Sequence, residues 1–103
     1  MILTLLDLVR KKPLKNAPGE HVFWLHDGHS ISNLRELRDA FKLMTNRQFS
    51  HHVTAERNDF VNWITDILED SVLADDLALV QTQREAYEVV SKHLADWYEL
   101  SHA

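Results

Sequence analysis

Seven histidines occur among 103 residues, and four of them stand where they could do chemistry. His26 and His29 flank Asp27-Gly28. Imidazole nitrogens and a carboxylate are ligands for zinc or another divalent cation, so this stretch offers three donors, one short of a closed tetrahedral set. The plainer reading is a pair of solvent-exposed turn histidines. His51 and His52 are adjacent, and neighbouring side chains on a helix diverge by about 100°, so the two do not chelate together easily. One is expected to face the core or cap a helix, and the other to face solvent. The candidate metal ligands are therefore His26, His29, His51 and His52, and no cofactor is otherwise expected.

His52 also precedes Glu56, Asn58, Asp59 and Asn62, which together form a candidate polar cluster. A histidine beside a carboxylate can exchange protons with a substrate. The same group can instead be a hydrogen-bonded brace between helices, as polar groups near a core require. No nucleophile or oxyanion device stands beside it, which favours the brace and leaves no catalytic residue assigned. A small His/carboxylate enzyme is the least supported function. Walker A, GxGxxG, HExxH, GxSxG and EF-hand patterns are missing. With no cysteine, thiolate catalysis, disulfides and cysteine-based metal sites are excluded.

The elements that must position these residues follow from where helix breakers fall. Both glycines and both prolines lie before residue 30, so the rest of the chain can be helices joined by short polar caps. Apolar residues at Ile2, Leu3, Leu5, Leu6, Leu8 and Val9, then Arg10 to Lys12, predict a helix over 2–12 that Pro13 stops. Residues 13–20 read as a connector. Val22 to Leu25 is β-prone and Asp27-Gly28 suits a two-residue turn, predicting a hairpin of 21–26 with 29–31. Both hairpin faces are apolar, so it must rest on helices or on another chain.

Asn33 with Glu36, and Thr82 with Glu85, fit capping boxes. The first opens a helix carrying Leu34, Leu37, Ala40, Phe41 and Met44. Thr45 or Asn46 restarts a turn with Phe49 and Val53. Thr54 is the expected cap of a helix with Phe60, Val61, Trp63, Ile64, Ile67 and Leu68, and Asn58-Asp59 is a second candidate for its N-terminus. Ser71 is expected to cap a helix with Leu73, Leu77 and Val80. The last helix turns Ala86, Val89, Val90, Leu94 and Trp97 inward. The expectation is a mainly α fold: a small bundle of about five helices with one short β-hairpin near the N-terminus. It divides into an N-terminal helix and connector (1–20) and a single helical domain with the hairpin (21–103).

The aromatic run before Asp27-Gly28 is followed by Asn33-Leu34-Arg35-Glu36-Leu37, Phe49-Ser-His-His-Val53, Glu56-Arg-Asn-Asp-Phe60, Asn62-Trp63-Ile64 and Leu73-Ala74. On these pieces Phe23 to about Leu79 resembles a family of small prokaryotic domains of unknown function. The resemblance implies a discrete module and supplies no activity.

Net charge is −5, which argues against broad nucleic-acid binding. Residues 1–53 carry eight Lys/Arg and five Asp/Glu, whereas 54–103 carry three and eleven. That polarity can steer a basic partner or favour self-association, although a solvated acidic face is the simpler reading. No apolar run approaches the roughly 18 residues of a membrane span. The N-terminal run has its basic residues on the wrong side for a secretory signal, so a cytoplasmic location is expected. The leading function is a non-enzymatic protein–protein interaction module, a small subunit of an assembly or a homo-oligomer. Its candidate partner-binding residues are Leu3, Leu5, Leu6 and Val9, which need burial, and Trp24 on the two-sided hairpin. The rival is a metal- or ligand-sensing domain using the histidines.

Overall fold

In a computed structural model, which describes residues Lys11 to Glu99, the chain is mainly α. A 3-10 turn, Gly19–His21, leads into a hairpin of β1 (Phe23–Trp24) and β2 (Ser30–Ile31), paired antiparallel with Phe23 opposite Ile31. Five helices follow: α1 (Leu34–Leu43), α2 (Asn46–His52), α3 (Asp59–Trp63), α4 (Ser71–Leu77) and α5 (Gln83–Trp97). A π-helical turn, Ile64–Leu68, extends α3. The fold class is thus the one expected.

Each helix begins where a side chain satisfies an otherwise orphaned N–H. The Thr82–Glu85 and Thr45–Gln48 capping boxes form in full. Asn33 accepts from the Glu36 N–H, but the Glu36 carboxylate turns to the N–H and hydroxyl of Ser32. Two expected caps move. Thr54 lies in a loop, where its N–H donates to Arg57 O, and Asn58 caps α3 instead. Asp70, not Ser71, caps α4. In both cases the residue that caps is the non-helical one whose side chain accepts from the N–H three residues ahead.

The core is continuous from the hairpin to α5. α1 lies along α5, burying Leu34, Leu37 and Phe41 against Ala86, Val90 and Leu94. Phe60 is its aromatic hub, with ring centroids 4.8 Å from Phe23, 4.9 Å from Phe41 and 6.0 Å from Phe49. Trp63 is buried and its indole N–H donates to His21 O at 2.8 Å, holding the hairpin's entry. Trp97, expected inward, is 50% exposed. It is the last residue of α5, where Leu94 and Tyr98 take the interior places.

The hairpin is shorter and its turn longer than expected. Leu25 N–H donates to His29 O and Gly28 N–H to Leu25 O, so the loop holds His26, Asp27 and Gly28, with Gly28 at φ 97°. A left-handed third position is one that glycine takes without a Cβ penalty. Lys11 and Lys12, the end of the expected first helix, are not helical: Lys12 forms a parallel bridge with Tyr98. The remainder of that helix lies outside the described residues, as do Leu3, Leu5, Leu6 and Val9.

Candidate functional site

Two histidine–carboxylate pairs organise the interior. In the first, the His26 N–H donates to His52 Nε2 at 3.1 Å, so that nitrogen carries the lone pair. Nδ1 therefore carries the proton and donates to Asp59 Oδ2 at 3.1 Å. Asp59 in turn receives Arg57 Nε at 2.9 Å, and Arg57 Nη2 reaches His51 O at 2.6 Å. His52 is buried between Phe23 and Phe60. Both ring nitrogens are thus committed to joining hairpin loop, α2 and α3. Asn58 serves as the α3 cap, while Glu56 and Asn62 are exposed and stay outside the cluster.

The second pair is Asp70 with His93, which sequence reading missed. Asp70 Oδ2 accepts from His93 Nε2 at 2.8 Å and from the Tyr98 hydroxyl at 2.5 Å, and Oδ1 accepts from Leu73 N–H at 3.1 Å. Lys12 Nζ stands 3.7 Å from Oδ2 and 5.2 Å from the Tyr98 ring centroid. Burial alone would push the Asp70 carboxyl up. The hydrogen bonds of His93, Tyr98 and Leu73 overcome it and hold the group well below the usual carboxylate range. Burial, then the bond to Asp70 and its charge, push the Tyr98 phenol well above its ordinary value. The π-helical turn positions this network: Glu69 follows it in the left-handed region at φ 58°, and the chain reverses to drop Asp70 inside. The one local signal was Asp70 standing before Ser71 at the head of an apolar run.

The remaining candidate ligands do not converge. The His26 and His51 rings stack with centroids 3.7 Å apart, an arrangement that turns ring faces rather than nitrogens toward each other. Desolvation in that stack, then the charges of His26, His52 and Arg47, lower the His51 pKa. His29 Nδ1 pairs with Asp27 Oδ1 at 3.0 Å on the surface. Among the described residues no three His, Cys, Asp or Glu side chains come together as a metal site would need.

Beside this stack a groove of about 450 Å³ opens between the hairpin and α1. Leu25, Ile31, Ala40, Leu43 and Met44 form its apolar walls, and Asp27, Glu36 and Asp39 stand on its rim. Leu43 is 82% exposed at the lip, and Trp24 is 63% exposed on the hairpin's outer face. The groove exists because α1 buries Leu37 and Phe41 on one side while Ala40 and Leu43 continue the apolar surface past the core's edge. No helix among the described residues is long and apolar enough to cross a membrane. Comparison with protein-family models, curated proteins and solved structures finds no match to this chain.

Proposed function

We propose that the protein is a non-enzymatic interaction module whose recognition surface is the groove between hairpin and α1. The observation that carries this reading is the apolar groove itself, with Leu43 standing exposed at its lip. A contiguous apolar surface left open to water and rimmed by polar residues marks an interaction site. The rim carboxylates suit a partner whose apolar stripe is flanked by lysine or arginine, whether another protein or a second copy. The two histidine–carboxylate pairs support this role by fixing the scaffold, since their bonds join the hairpin loop to α2 and α3, and the turn before α4 to α5.

A photo-crosslinking residue placed at position 43 of the full chain tests the reading. A discrete adduct from position 43, absent from position 65 and lost in Leu25→Asp, supports it. Adducts from both positions alike, or from neither, overturn it. A second reading, capture of a small apolar molecule, is favoured by the groove's size, which lies within the several hundred Å³ typical of ligand sites.

A further inference from the structure

A second groove, of about 570 Å³, runs between the α4–α5 connection and α5. Leu79, Val80, Val89 and Trp97 are its apolar walls. Leu79 is 80% exposed and Trp97 50%, which is a large apolar surface for residues 79 to 97 to leave to water. We infer that this groove is the seat of the chain's own N-terminal segment, residues 1–10.

The point of attachment and its direction carry the inference. Lys12 N–H donates to Trp97 O at 2.9 Å, Glu99 N–H donates to Lys12 O at 2.8 Å, and Lys11 Nζ reaches Ala95 O at 2.8 Å. Residue 11 is therefore fixed beside the end of α5 at the groove's mouth. The bridge between Lys12 and Tyr98 is parallel, so the chain upstream of Lys12 heads the same way as the chain upstream of Tyr98, which is back along α5. The α5 wall from Glu85 to Trp97 is about 18 Å long at the helical rise, and ten residues span about 15 Å if helical and more if extended. Six of those ten are Ile2, Leu3, Leu5, Leu6, Leu8 and Val9. Seating them removes two apolar surfaces from water at once, without the loss of translational freedom that an external partner entails. Asp96 lies on the groove's lining, and its carboxyl is lowered by the bond to Lys92 and, more weakly, by the charge of Lys11.

This inference concerns a different surface from the hairpin groove and stands apart from the proposed function. Because the chain has no cysteine, engineered disulfides test it cleanly. Leu79→Cys, at an exposed position, is combined in the full chain with Leu3→Cys, Leu5→Cys or Leu8→Cys, and each pair is oxidised at low protein concentration. An intrachain bond in most molecules of at least one pair is expected, with Leu43→Cys giving none with the same three positions. Interchain bonds alone would assign the groove to a second copy, and no bond at all, or equal bonding to position 43, would remove the segment from it; either overturns the inference. In parallel, fluorotryptophan labelling of Leu5→Asp/Leu6→Asp is expected to move the Trp97 fluorine resonance and leave that of Trp24. An unmoved Trp97 signal counts against it.

Discussion

Asp70 and His93 stand 23 residues apart in sequence and 2.8 Å apart in space, each almost wholly shielded from water. Their contact ties the turn after the π-helical segment to the middle of α5, and Tyr98 and Lys12 close the network from the two ends of the described chain. Removing the carboxylate leaves three donors and a nearby ammonium without their acceptor. Asp70→Ala is expected to cost roughly 3–5 kcal/mol, the range for breaking a buried charged network by deleting one partner. Urea unfolding checks it, and a loss under about 1 kcal/mol would show that the network contributes little.

The same network contributes to stability at both pH limits. The Asp70 pKa is depressed by folding, so its contribution is present above the ordinary carboxylate value near 3.9 and is lost as pH falls through the folded value. The Tyr98 pKa is raised, so its contribution is full below about 10 and is lost as pH climbs through the folded value. Unfolding free energy is expected to decline at both extremes. Asp70→Asn should flatten the acid limb and Tyr98→Phe the alkaline limb, and limbs unchanged in these variants would contradict the assignment.

His52 is expected to be locked as the Nδ1–H tautomer, because Nε2 accepts from the His26 N–H. Nitrogen-15 shifts of the imidazole report this directly: a bare Nε2 and a protonated Nδ1. Asp59→Ala should let the tautomers mix and should cost about 1–3 kcal/mol, since it leaves a buried donor unpaired.

The caps give a graded test. Thr82→Ala removes a complete capping box and is expected to cost about 1 kcal/mol, whereas Thr54→Ala, in a loop, stays within about 0.5 kcal/mol. Equal losses at the two positions would contradict the placement of the helix start at Asn58.

At the centre of the aromatic hub, Phe60→Ala should cost roughly 3–5 kcal/mol in thermal or urea unfolding. Trp24→Ala, on the exposed face, should leave stability within about 0.5 kcal/mol, and a larger loss would mean that Trp24 is held by the fold rather than free for a partner.

Local chemistry was legible in the sequence wherever a few neighbouring residues decide the outcome. The absence of glycine and proline after residue 28 foretold the helices, Thr82 with Glu85 foretold the start of α5, and the paired histidines foretold one buried and one exposed ring. What spacing cannot carry is which distant groups meet. Only the tertiary structure brought Asp70 to His93 and Tyr98, because a π-helical turn and a left-handed Glu69 change the direction in which the chain re-enters the core. Only it separated Glu56 and Asn62 from His52, and stacked His26 on His51 instead of aiming their nitrogens at one point. And only it opened the hairpin groove, since an apolar face such as that of α1 becomes core or surface according to how far its neighbours reach to cover it.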